Sequence, residues 1–227
     1  MAIELHSSVK TLGLQRLADV DVFTFNRKRR DSDLPFTKRN FLKKMASLFD
    51  PLGFLAPFIV VAKILLQEIW TRGLDWDENL DDDLMVKATS WLKQLDHLED
   101  IRIPRCLRLG QNEEVRSFTL HTFVDASQAA YGAVAYAKFV YYSGKQSCRL
   151  IAAKTKVAPL KAMSIPHLEL MAAVLGARLT SSITSVLTVK IEQTIYWSDS
   201  MNVLYWIHNP SRNFKEFVEN RVGEFKP

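Results

Sequence analysis

The stretch Phe118-Thr119-Leu120-His121-Thr122-Phe123-Val124-Asp125-Ala126-Ser127 reads as an apolar strand that stops at an aspartate and a pair of small residues. An acidic group at the end of a buried strand is costly to desolvate, and ordinary packing does not ask for one. A metal or a donor network is therefore expected beside Asp125. Two later stretches repeat the arrangement. In Ser164-Ile165-Pro166-His167-Leu168-Glu169-Leu170-Met171-Ala172-Ala173 a glutamate sits in the first turn of a long helix. In Thr194-Ile195-Tyr196-Trp197-Ser198-Asp199-Ser200 a second strand ends at an aspartate.

Working outward, Ser127 to Ala130 turns, Tyr131 to Tyr142 is a long strand, and Ser143-Gly144-Lys145-Gln146 returns it into Cys148 to Val157. This predicts a three-stranded antiparallel meander. A helix over 166–187 follows, with Pro166 in its first turn. Its expected buried stripe is Leu168, Met171, Leu175, Leu179, Ser182 and Val186. The strand Thr194 to Ser198 then lies parallel beside the first strand after a helical crossover. Both aspartates emerge at one edge, and the first helical turn must pass over that edge for Glu169 to join them.

Two Mg²⁺ ions about 3.5 to 4 Å apart need shared carboxylates, and they stabilise the attacking and leaving oxygens of a phosphodiester displacement. Taken singly, Asp125 and Asp199 also read as a turn former and a helix N-cap, and Glu169 as a residue favoured by the helix dipole. All three on their predicted elements point to a shared site.

The preceding half has a different texture. Lys10 to Leu14 and Val20 to Phe25 show β-type alternation with a break at Gly13. Asn26 to Lys44 holds eight Lys or Arg, among them Arg29, Lys38 and Arg39, which are candidates for phosphate contact. Helices are expected over 37–49, 55–72 and 84–98, with Gly73 where a C-cap belongs. Leu74 to Asp83 is acidic but lacks the spacing and glycine of an EF-hand, so it reads as a solvated loop. Ile101 to Leu109 suggests a connector strand, and Gly110 to Glu114 a polar break. The expected boundary therefore separates residues 1–110 from 111–227.

Composition fits a globular protein: of 227 residues, 48% are hydrophobic and 24% charged. A net charge of +5 suits an anionic partner. Cys106 and Cys148 lack paired spacing, so neither a disulfide framework nor a zinc cluster is expected. Lys63 and Glu68 interrupt the apolar run from Phe54 to Trp70, which argues against a membrane span. With no secretory h-region, an intracellular protein is expected, cytoplasmic or nuclear.

Residues 111 to 227 resemble the ribonuclease H domain of a reverse transcriptase, and the whole chain is similar to the pol polyprotein of BEL/Pao-type retrotransposons. Phe123 to Ser127, Ile165 to Leu179 and Tyr196 to Ser200 carry the likeness. In the first half, Leu12-Gly13-Leu14, Lys38 to Leu42 and Phe49 to Pro57 resemble the end of a polymerase palm, a thumb-like helical part and a connection. The resemblance implies an α/β fold: a ribonuclease H-like mixed sheet of three antiparallel strands and one parallel strand with flanking helices, after a mostly helical segment.

It also implies hydrolysis of the RNA strand of RNA/DNA hybrids with two Mg²⁺ or Mn²⁺ ions. Asp125, Glu169 and Asp199 are then catalytic metal ligands. Ser127 and Ser200 approach the substrate backbone, and Arg29, Lys38 and Arg39 position phosphates. The nucleic acid and the remainder of the polyprotein are the implied partners, with no membrane.

Two departures shape the expected activity. The family's fourth acidic residue falls after a further strand, beyond Pro227, so weak or no cleavage is expected of the isolated chain. The polymerase signature, an aromatic residue, any residue and two aspartates, is absent, because Asn79-Leu80 precedes Asp81-Asp82-Asp83. A non-catalytic nucleic-acid-binding remnant is the alternative. A retroelement aspartic peptidase is disfavoured, because Asp125-Ala126-Ser127 and Asp199-Ser200-Met201 lack the Asp-Thr-Gly or Asp-Ser-Gly turn.

Overall fold

Alternation along three long strands builds the larger of two sheets. The computed structural model describes residues 8–11, 14–25, 34–108, 113–209 and 214–225. It divides into two compact units, one of Met1–Pro51 with Pro57–Cys106, the other of Leu52–Ala56 with Leu107–Pro227.

In the second unit, β5 (Val115–Ala126), β6 (Ala130–Tyr141) and β7 (Gln146–Val157) form the expected antiparallel meander. β8 (Gln193–Trp197) adds in parallel to β5, giving the order β7-β6-β5-β8. One face of β5 buries Phe118, Leu120, Thr122 and Val124. Ala133, Ala135 and Ala137 of β6 continue that face, and their small side chains let a helix approach closely.

That helix is α4 (Ile165–Val186), with Pro166 in its first turn. Two contacts fix its direction. A Cβ on Gly176 would stand 2.5 Å from Val124 Cγ1, and the hydroxyls of Thr180 and Thr122 are 2.7 Å apart. The helix therefore runs against β5, and its N-terminal turns lead toward the strand's C-terminal end. Its buried residues are Leu168, Leu170, Ala172 to Gly176, Leu179, Thr180 and Ile183. The expected stripe is corrected at Ser182 and Val186, which are exposed. α5 (Met201–His208) and α6 (Glu216–Val222) bring Val203, Val218 and Val222 into the same core, so α4 is covered on two sides. Each fully buried leucine of α4 contributes about 2 kcal/mol of transfer free energy.

The first unit holds β1 (Ser8–Thr11), β2 (Leu14–Leu17), β3 (Val22–Phe25), α1 (Lys38–Ala46), α2 (Ala56–Thr71), α3 (Asp82–Gln94) and β4 (Ile103–Pro104). It is not simply helical, because β1-β2-β3-β4 forms its own antiparallel sheet. The expected connector strand shrinks to two residues paired with β3. The last helix ends at Gln94 and tightens into a 3-10 turn over Leu95–Asp100. Thr37 caps α1 by accepting from the Asn40 amide, and Gly73, at φ 74°, follows the end of α2 as a C-cap should. Phe41, Phe58 and Trp91 pack together, and the Trp91 indole donates to the Phe58 carbonyl.

The acidic stretch is pinned rather than free. Arg39 makes a bidentate pair with Asp77, and Arg72 reaches both Asp81 and Asp83. Backbone bonds from Arg39 to Trp76 and from Leu80 to Phe36 tie the same loop to α1.

Candidate active site at the end of the mixed sheet

β5 and β8 place two aspartates in matching positions. Their parallel register ends at Phe123 beside Trp197, and Asp125 and Asp199 each lie two residues further on. Both are exposed. Seven residues separate Gly176 from Glu169, so the helix rises roughly 10 Å beyond the Val124 contact. That rise carries Glu169 past the end of β5. Glu169 is half-buried, and its Oε2 accepts a hydrogen bond of 2.5 Å from the hydroxyl of Ser200, the residue after Asp199.

The three carboxylates share one electrostatic property. Among the described residues, no Lys, Arg or His forms an ion pair with Asp125, Glu169 or Asp199. Oxygen donors with no internal cation suit a hard divalent ion. Asp125 and Glu169 are engaged by protein donors, however. Asp125 Oδ1 accepts from the Ala126 amide at 2.7 Å. Among the described residues, no three His, Cys, Asp or Glu side chains are gathered as a metal cage. The donor chemistry fits a divalent ion, whereas joining a cage requires Asp125 to turn from the Ala126 amide.

The remaining candidates divide. Ser127 is exposed, and its Oγ closes the β5–β6 turn, accepting from the amides of Ala129 and Ala130 and donating to the Ala130 carbonyl. Ser200 is 5% exposed and caps α5 by accepting from the Val203 amide. The cap is therefore Ser200 and not Asp199. Lys38 and Arg39 belong to the first unit. Lys38, also 5% exposed, points its ammonium at the rings of Trp70 and Trp76, 4.5 and 5.5 Å from their centroids. Arg39 is engaged by Asp77, which raises its pKa. Arg29 lies outside the described residues.

One group near the strand ends escaped the sequence reading. On the face of β5 opposite α4, Phe123 and His121 both stack with Trp197, and Phe123 meets the edge of Tyr136. The Trp197 indole donates to His121 Nδ1, and Nε2 faces the Thr119 hydroxyl. Burial, aided by Lys138, holds the His121 pKa below its usual value. Alternation places these side chains together only once the parallel register is known.

A family model described as Pao retrotransposon-like RNaseH-like domain matches residues 37–200. The chain belongs to this family. No curated protein matches it in sequence. A solved structure of the foamy viral protease-reverse transcriptase dRH, in complex with double-stranded DNA, is similar, with a TM-score of 0.52 at 14% identity. The match covers 96% of this chain and 35% of that one. The likeness supports the fold: a mixed α/β architecture with a ribonuclease H-like four-stranded sheet. The matched span contains all three acidic candidates.

Proposed function

We propose that the second unit is a ribonuclease H-type nuclease domain of a retrotransposon polyprotein, cutting the RNA strand of RNA/DNA hybrids. The reading is supported by the parallel register that puts Asp125 and Asp199 two residues past paired positions of β5 and β8, and by the bond from Ser200, next to Asp199, to Glu169; none of the three carboxylates is neutralised by a neighbouring cation among the described residues. Three such groups repel one another, and divalent ions offset the repulsion.

Asp125 and Asp199 offer oxygens from adjacent strand ends, and Glu169, in the second turn of α4 and not the first as expected, adds its own beside Ser200. Two Mg²⁺ or Mn²⁺ ions, when held there, supply Lewis-acid stabilisation of the attacking and leaving oxygens. The chain's own part is to fix three donors on rigid elements and to leave the rim open, since Asp125 and Asp199 are exposed. Discrimination of hybrid from DNA duplex falls to 2′-hydroxyl contacts and duplex shape.

The test is incubation of a 5′-labelled RNA/DNA hybrid with the chain in Mg²⁺ or Mn²⁺. Weak cleavage to fragments ending in 3′-hydroxyl and 5′-phosphate is expected, stopped by EDTA, insensitive to pepstatin-type inhibitors and abolished by Asp125→Asn. Hybrid that is bound but uncut in either ion would overturn the nuclease reading. It would favour a nucleic-acid-binding module with an idle site. The turning of Asp125 toward the Ala126 amide speaks for that second reading.

A further inference from the structure

We infer that Ser200 is a positioning residue for Glu169 and not a contact to the nucleic acid, an inference that rests on the nuclease reading. A serine hydroxyl carries a single proton to donate. In Ser200 that proton is directed at Glu169 Oε2 over 2.5 Å, the short range of a hydroxyl bonded to a carboxylate. Ser200 Oγ itself accepts from the Val203 amide, and the Ser200 amide donates to the Ser198 hydroxyl. Ser200 is thus held on three sides and almost wholly buried. A strand of nucleic acid passing the rim would meet Asp199 and Asp125 before it met this hydroxyl.

The bond has a mechanical consequence. Glu169 rises from α4 on a side chain with three rotatable bonds, and no Lys, Arg or His pairs with it among the described residues. Without an anchor its carboxylate would sample several rotamers, and a metal ligand must be ordered before it binds well. Ser200 supplies the anchor from the cap of α5, one residue after Asp199. The two acidic residues are thereby fixed relative to each other through the α5 N-terminus, although 29 residues of sequence lie between them.

The test uses the full chain and Mn²⁺ alone as the probe, with Ser200→Ala, Ser200→Gly and Ser200→Thr. Glycine keeps most of the capping function while removing the hydroxyl, so a loss shared by alanine and glycine is not a folding effect. By calorimetry, both should weaken Mn²⁺ binding on the order of tenfold, and threonine should restore it. By NMR without metal, the Glu169 γ-methylene couplings should report one rotamer in the parent and averaging in Ser200→Gly.

Averaged couplings already present in the parent would overturn the inference. So would a raised KM for hybrid with Mn²⁺ affinity unchanged in Ser200→Gly, the pattern of a substrate contact. A parent that binds no Mn²⁺ but loses its single Glu169 rotamer in Ser200→Gly would sink the nuclease reading while leaving the positioning role intact.

Discussion

The molecule contains two acidic neighbourhoods that treat their charge in opposite ways. Around α2 and α3, Glu68, Asp77, Asp81 and Asp83 are each met by Lys87, Arg39 or Arg72. At the end of the mixed sheet, Asp125, Glu169 and Asp199 have no ion-pair partner among the described residues, although Lys and Arg exceed Asp and Glu over the whole chain. A local excess of carboxylate left uncompensated in a basic protein is what an exogenous cation requires. Where cations meet the carboxylates, as at Asp77, Asp81 and Asp83, the pairing closes a loop instead. On the proposed reading, the contrast separates acidic residues that serve folding from acidic residues that serve chemistry.

The sharpest way to break this contrast is to neutralise one member of each group. Asp199→Asn should lower Mn²⁺-dependent hybrid cleavage by roughly 100-fold or more while leaving the thermal midpoint unchanged or slightly higher, since it relieves repulsion. Arg72→Ala should do the reverse, leaving cleavage intact and lowering the midpoint, because it strands Asp81 and Asp83. Cleavage gels and circular-dichroism melts on both variants decide the matter. Loss of stability in Asp199→Asn would erase the distinction.

Next in size is the close approach that sets the site's frame. Gly176→Val should cost about 2 kcal/mol or more in urea unfolding, because even its Cβ would press on Val124 Cγ1 at 2.5 Å. If the helix is displaced as well, cleavage should fall more than the stability loss explains.

Acid titration sharpens the other side of the comparison. Hydrogen bonds from Arg39 and Arg72 lower the pKa values of Asp77 and Asp83. A carboxylate depressed in the folded state stabilises fully above its unfolded value of about 3.9, and that contribution drains away as pH falls through the native value. Unfolding of the first unit should therefore steepen below about pH 4, and Asp83→Asn should flatten the curve.

The smallest expected effect concerns His121. Its pKa is lowered by burial, so protonation is favoured in the unfolded chain and stability falls as pH drops below about 6.5. Trp197 fluorescence should change in that window, as its N–H loses Nδ1 as acceptor. A flat profile would mean that this pair does not hold the outer face together.

Much of the site's frame was legible in the sequence. The strand ending at Asp125, the helix opened by Pro166 and the second strand ending near Asp199 each follow from local pattern, and their parallel arrangement from the chirality of crossovers. What was not legible depended on partners far along the chain. β4 is two residues long and pairs with β3 some 80 residues earlier, a signal no window contains. The α4 stripe was legible at Leu168, Leu175 and Leu179, but not the second buried side of the helix, which α5 and α6 help to cover. Lys38 looked like a surface cation until Trp70 and Trp76 closed over it. The Ser200 cap was visible in principle, since Ser followed by an apolar run is an N-cap signal. Its bond to Glu169 was not, because hydroxyl direction is settled only by the fold.

The short segment Leu52–Ala56 belongs to the second unit although the chain on either side of it belongs to the first. The Leu52 carbonyl accepts from the Ala153 amide of β7, and Gly53, at φ 74°, lies so close that a Cβ would stand 1.9 Å from the Ala153 oxygen. Any scheme that excises the nuclease-like portion by cutting after residue 106 therefore strips a latch from the outermost strand. Such a piece would leave the flank of β7 open to recruit a second copy edge to edge, and a soluble version would have to carry residues 52–56 back in on a grafted loop.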